Sequence, residues 1–211
     1  MIQIKAFTFN PFQENSYLLY DESKEAIIID AGCYNREEEN QLVDFLEKNE
    51  LKAVKLLNTH AHIDHVFGNK FIFDRFGLKT HLSRKETPTL EMAEQSAKLY
   101  GLDYVPFSEV EGYIEEGDLI QWGNSELQTL WVPGHAPGHL VFYHQSEKFM
   151  IGGDVLFKGS IGRTDLPGGN HETLIKMIRE KVFTLDEAIK VYSGHGEPTT
   201  IGYEKRNNPF F

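Results

Sequence analysis

Cysteine is almost absent from this sequence: one residue, Cys33, in 211. A single thiol cannot close an internal disulfide, so the chain must be stabilised by packing, and Cys33 is read as a packing residue. Long apolar runs are missing as well. No stretch of 18 consecutive apolar residues occurs, which excludes a hydrophobic membrane-spanning helix. The opening residues Met1-Ile2-Gln3-Ile4-Lys5 alternate as a strand does and carry no apolar leader segment. These absences predict a cytoplasmic protein with no membrane partner. Positive charge is in deficit, with 21 Lys and Arg against 32 Asp and Glu and a net charge of −11. Nucleic-acid binding rests on basic surface, so no nucleic-acid partner is expected. Low-complexity tracts and short-period repeats are also absent.

What is present is a globular composition, 40% hydrophobic, and a regular alternation of elements. One domain spanning 1–211 is expected. Apolar and alternating runs predict strands over 2–9, 15–21, 25–30, 54–59, 79–82, 117–122, 126–132, 139–145, 148–153 and 189–193. Asp21-Glu22-Ser23-Lys24 reads as a hairpin turn. Helices are predicted over 36–49, 67–76, 86–100, 171–181 and about 200–207; Leu42, Val43, Phe45 and Leu46 give the first a buried face. Segment 84–116 departs from simple alternation and is read as a small insertion.

Histidine carries the chemistry. Thr59-His60-Ala61-His62-Ile63-Asp64-His65 packs three imidazoles and a carboxylate into six residues, directly after an apolar run. Imidazole is the commonest side-chain metal ligand, and a carboxylate adds a hard oxygen donor. If the strand stays extended, His60 and His62 point to one side, because side chains alternate with period two. Three further groups also follow apolar runs: Pro133-Gly134-His135-Ala136-Pro137-Gly138-His139, Gly152-Gly153-Asp154 and Ser193-Gly194-His195-Gly196. Glycine and proline allow the tight turns that let ligands crowd a cation, and α/β folds place ligand sites at the carboxyl ends of strands. Four such strand ends predict a dinuclear metal site. His81, His144 and His171 lack matching partners and are read as structural or surface residues.

These motifs, HAHIDH at 60–65, PGHAPGH at 133–139, GGD at 152–154 and SGHGEP at 193–198, resemble those of metallo-β-lactamase-fold hydrolases. Within that superfamily they are similar to the short, single-domain glyoxalase II-like branch. The resemblance implies an α/β (α+β) fold, a four-layer αββα sandwich. It implies two divalent metal ions per chain (zinc, iron or manganese, with zinc favoured). His60, His62 and His135 would hold one, Asp64, His65 and His195 the other, and Asp154 would bridge them. The implied nucleophile is a hydroxide between the metals, oriented by Asp64. His139, at the start of the next strand, is read as supporting the ligands, and Asp30, ending the run Ile27-Ile28-Ile29, as holding the metal loops by hydrogen bonds. Phe67 and Gly68 are candidates for the cleft wall, with core packing the first reading for Phe67.

Arg163 stands nine positions after Asp154, where glyoxalase II enzymes carry a basic residue that contacts glutathione. Substrate contact and an ion pair with Asp165 are both open for it. Lys158 is a second candidate. Two features depart from full-length glyoxalase II: sixteen residues follow His195 where those enzymes carry a helical domain, and Gly196-Glu197 replace an acidic residue and a tyrosine. The resemblance therefore implies a thioesterase acting on a small-molecule hydroxyacylglutathione such as S-D-lactoylglutathione, or on the ester of another thiol. The alternative is a mononuclear-iron persulfide dioxygenase using His60, His135 and Asp154; a β-lactamase and a non-catalytic metal-binding module rank lower. A monomer or small homo-oligomer is expected.

Overall fold

The computed structural model describes residues 1–211. The chain divides into two compact units, Met1–Ile114 with Gln121–Ser125, and Glu115–Ile120 with Glu126–Phe211.

The first unit is built on a mixed six-stranded sheet: β1 (Gln3–Phe9), β2 (Glu14–Tyr20), β3 (Glu25–Ile29), β4 (Lys52–Leu57), β5 (Thr80–Leu82) and β6 (Val110–Tyr113), in that order. The β1–β2 and β2–β3 pairs are antiparallel; β3 to β6 run parallel. The parallel part needs crossovers, and helices supply them. They are α1 (Arg36–Lys48), α2 (Ile63–Val66), α3 (Asn69–Phe76), α4 (Thr87–Glu91) and α5 (Ala93–Tyr100). Asn35 caps α1 by accepting from the Glu37 and Glu38 amides, three glutamates occupy the first turn, and Lys48 lies in the last. Each complements the helix dipole at its own end. Leu42 and Leu46 bury the inner face of α1 against Phe7, Phe9, Leu18, Ile28 and Leu56, with Ile72 of α3. A second cluster joins Ile63, Val66 and Phe67 to Leu90, Ala93 and Ala97. Leu19, Ile27, Ile29 and Leu57 are buried too. Strands covered on both faces read as apolar runs, as these do.

The second unit carries most of the other mixed sheet, of order β14-β13-β10-β9-β8-β7. Its strands are β7 (Leu119–Trp122), β8 (Ser125–Trp131), β9 (Leu140–His144), β10 (Phe149–Gly153), β13 (Lys190–Ser193) and β14 (Thr199–Thr200). The pair β11 (Leu156–Phe157) and β12 (Ser160–Ile161) forms a separate ribbon. α6 (His171–Met177) and α7 (Ile201–Asn207) are capped by the Asn170 and Thr200 side chains. Val141, Met150 and Val191 pack with Leu174, Ile178, Val182 and Ile201 into this unit's core.

The α/β fold class stands, with local corrections. The strand expected over 54–59 begins at Lys52 and ends at Leu57, because the Thr59 amide donates to the Asp30 carboxylate at 2.7 Å instead of to a neighbouring strand. The helix expected over 67–76 starts at Asn69, since the Gly68 amide donates to the Ala31 carbonyl. The helix expected over 86–100 is a 3₁₀ turn (Arg84–Glu86) followed by α4 and α5, with Met92 at φ −86°, ψ −3° between them. The helix expected over 171–181 widens after Met177 into a π-type turn (Ile178–Val182), where the Phe183 amide reaches the Ile178 carbonyl. Segment 84–116 also supplies an edge strand, β6. The two-residue strands β11, β12 and β14 are too short to show periodicity in the sequence.

Candidate metal centre

In the first unit the histidine motif straddles the exit of β4 and the start of α2. Asp30, at the end of β3, organises it from below. This non-glycine residue adopts φ +55°, a conformation aspartate tolerates better than most residues. Its Oδ1 accepts from the Thr59 amide at 2.7 Å, and its Oδ2 accepts from the Thr59 hydroxyl at 2.7 Å. The single Thr59 hydroxyl proton is thereby committed. The 3.0 Å contact between Thr59 Oγ1 and His60 Nδ1 then requires the imidazole to donate. His60 is left with Nε2 as its lone-pair nitrogen. The same logic applies to His65, whose Nδ1 lies 3.1 Å from Asp30 Oδ2. A carboxylate accepting from Nδ1–H raises ring basicity and fixes the ring for coordination through Nε2. The His60 ring centroid lies 4.7 Å from that of His62 and 4.1 Å from that of His65. Asp64 Oδ2 lies 3.6 Å from His65 Nε2.

In the second unit three separate loops meet. His135 follows β8, Asp154 follows β10 and His195 follows β13. His135 Nδ1 lies 2.7 Å from the Arg163 carbonyl oxygen. A carbonyl only accepts, so Nδ1 carries the proton and Nε2 the lone pair. Asp154 Oδ2 lies 3.5 Å from His135 Nε2 and 3.5 Å from His195 Nε2. His139 is buried, and its Nε2 accepts from the Asp154 backbone amide at 3.0 Å. It therefore holds the aspartate's backbone. Gly162 packs so closely that a Cβ there would overlap the Asp154 carbonyl.

The donor set fits a divalent cation. Ligands ~2.1 Å from a tetrahedral ion lie ~3.4 Å from one another. The carboxylate–imidazole separations of 3.5, 3.5 and 3.6 Å are of that size.

The substrate candidates are engaged differently from the ligands. Arg163 makes a two-pronged ion pair with Asp165, Nε to Oδ1 at 2.8 Å and an Nη to Oδ2 at 2.7 Å. That guanidinium holds the Asp165 carboxyl down to about 2. Lys158 pairs with Glu197 at 2.9 Å. Four residues beside the first motif gave no sequence signal. Glu14 is fully buried, its Oε2 accepts from the Ser16 hydroxyl at 2.8 Å, and burial pushes its carboxyl well above the ordinary range. Glu86, also fully buried, accepts from the Ala61 amide at 3.0 Å. Asn10 and Asn58 donate to the carbonyls of Asp64 and His65, each at 2.9 Å. Buried acids and amides distant in sequence leave no periodic trace; only a polar residue amid apolar ones hints at them.

A sequence profile of the metallo-beta-lactamase superfamily matches residues 9–195. The chain belongs to the metallo-beta-lactamase superfamily. It is 37% identical over 211 residues to the hydroxyacylglutathione hydrolase GloC of Haemophilus influenzae, covering 99% of this chain and 98% of that one. Among solved structures it is similar to the BLEG-1 B3 metallo-beta-lactamase, at TM-score 0.90 and 35% identity over 99% of each chain. It is similar also to TTHA1623 in a di-iron-bound form, at TM-score 0.86 and 34% identity over 98% of this chain and 100% of that one. This superfamily member is a metal-dependent hydrolase acting on a small-molecule substrate. None of its helices is long and apolar enough to cross a membrane.

Proposed function

We propose that this metallo-beta-lactamase-superfamily chain works as one domain that hydrolyses acyl thioesters of the hydroxyacylglutathione class, with two divalent cations. His60, His62 and His135 would hold one cation and Asp64, His65 and His195 the other, with Asp154 able to serve both. The observation that carries the metal reading is the set of Nδ1 contacts of His60, His65 and His135, which leave Nε2 as the atom that would coordinate. The near-full-length similarity to GloC supports the thioester.

Bound divalent cations would acidify a water molecule and stabilise the oxyanion that follows attack on the thioester carbonyl. The chain's own groups do the rest. Asp64 orients the attacking water and accepts its hydrogen bond. Asp154 supplies negative charge opposite the imidazoles. Asp30 and Thr59 keep the rings from rotating. Water adds to the acyl carbon, the C–S bond breaks, and acid and thiol leave.

The test is metal content of the purified protein beside hydrolysis of S-D-lactoylglutathione. About two metals per chain with turnover supports the proposal. One iron per chain, no turnover and oxygen uptake with glutathione persulfide would replace it with the dioxygenase. The likeness to the BLEG-1 enzyme favours a second reading, β-lactam hydrolysis; turnover of a chromogenic cephalosporin without thioester turnover would select it.

A further inference from the structure

α2 is only four residues long, so its last carbonyls need donors from outside the helix. For the Asp64 carbonyl, the amide four residues on belongs to Gly68. That amide donates to the Ala31 carbonyl at 2.7 Å instead. Asn10 fills the position: its Nδ2 donates to the Asp64 carbonyl at 2.9 Å and to the Gly32 carbonyl at 2.9 Å.

Asn10 is itself fixed from every side. It sits in the turn after β1 at φ +53°, a conformation asparagine tolerates. Its Oδ1 accepts from the Phe12 amide at 3.0 Å, and its own amide donates to Glu38 Oε1 at 3.0 Å. Both amide hydrogens and the amide oxygen are in use. Gly32 gives an independent sign of how close this junction is. A Cβ at that position would overlap the Glu14 carboxylate and come within 2.7 Å of the Asp64 carbonyl and 2.8 Å of Asn10 Nδ2. One side-chain amide thus ties the β1–β2 turn, the exit of β3 and the ligand-bearing helix together. The Asp30 brace acts on His65 from that same β3 exit.

We propose that Asn10 is a positioning residue for the hydrolytic reaction: its side-chain amide holds the Asp64 backbone so that the Asp64 carboxylate keeps its place beside His65 Nε2. This rests on the ligand assignment proposed above. The hydrogen-bond network supplies what a four-residue helix cannot supply for itself.

Two variants test it. Asn10→Gly removes the amide while keeping φ +53° accessible. Asn10→Asp keeps the acceptor for Phe12 and replaces the donor with a second oxygen facing two carbonyls. Amide hydrogen exchange of residues 63–67 is measured in the metal-free protein against that of β2 and β3, together with kcat and KM for the thioester. Both variants are expected to accelerate exchange in 63–67 selectively and to lower kcat by roughly tenfold or more with KM nearly unchanged, as small misplacements of a reacting group do. Wild-type exchange and kcat in either folded variant overturn the proposal. So does a uniform acceleration across β2 and β3, which marks general destabilisation. If Asn10→Gly does not fold, Asn10→Asp decides. If the parent protein lacks thioesterase activity, the function reading fails while the exchange data still judge the clamp.

Discussion

The two units present their metal-ligand candidates by different means. In the first, four candidates lie within six residues, and a scaffold of side chains (Asp30, Thr59, Asn58, Asn10) holds them. In the second, His135, Asp154 and His195 come from three loops. There the supports are one backbone carbonyl, Arg163, and one imidazole, His139. A contiguous motif needs buried polar partners to give each side chain its own direction. A dispersed set already has its directions from the strands that carry it. The first unit should therefore be vulnerable to substitutions in its supporting residues, and the second to substitutions in the ligands themselves.

The largest expected effect breaks the second set. Asp154→Ala removes the carboxylate between His135 and His195, and is expected to abolish turnover and lower metal stoichiometry while leaving much of the fold. Metal analysis and circular dichroism of the variant check this, and retained activity would sink the dinuclear mechanism. Next comes the first unit's brace. Asp30→Ala strips the acceptor from His65 Nδ1 and from Thr59, and metal affinity should fall by roughly 10–100-fold, read by competition with a chromogenic chelator. No change would mean that the scaffold is incidental.

Asp21 uses the same device away from the ligands, and sharpens the comparison. Its buried carboxylate would be raised by desolvation, but donors from Ser125, Ser23 and Asn124 outweigh this and lower its pKa from 3.8 to about 2. A depressed folded value contributes stability above the unfolded pKa and loses it as pH falls through the folded one. The parent protein's advantage over Asp21→Asn, on the order of 2 kcal/mol, should be complete above pH ~4. Denaturant melts from pH 6 downward should show it shrinking as pH falls toward 2. The smallest effect is expected from Arg163→Ala. The carbonyl that supports His135 is backbone and survives the change, and the lost ion pair with Asp165 is exposed, so stability should not move measurably. Steady-state kinetics would then isolate the side chain: a raised KM assigns it to substrate, and an unchanged KM leaves it as the partner of Asp165.

Much of this was legible in the sequence. The HAHIDH run names its own chemistry because the candidate ligands are adjacent, and apolar runs in β2, β3, β4 and β10 announced buried strands. Asp30 was recognisable because a lone carboxylate ended an isoleucine run. Glu14, Glu86, Asn10 and Asn58 were not. Glu86, Asn10 and Asn58 act through backbone amides and carbonyls brought close only by folding, and Glu14 stands out only by its burial; nothing in residue type or spacing marks such positions. The same reason explains why β4 ends at Leu57, short of the expected 59: the Thr59 amide bonds to Asp30, distant in sequence.

The sequence alone determined the element alternation, the metal-ligand candidates and the superfamily, because these depend on residue chemistry and on order along the chain. Tertiary structure decided which partner the Nδ1 atoms of His60, His65 and His135 meet, which carbonyls of α2 find donors, and that Arg163 and Lys158 are paired with Asp165 and Glu197. Those outcomes depend on distances of about 3 Å between residues far apart in sequence, the range over which hydrogen bonds act, and only a folded chain sets them.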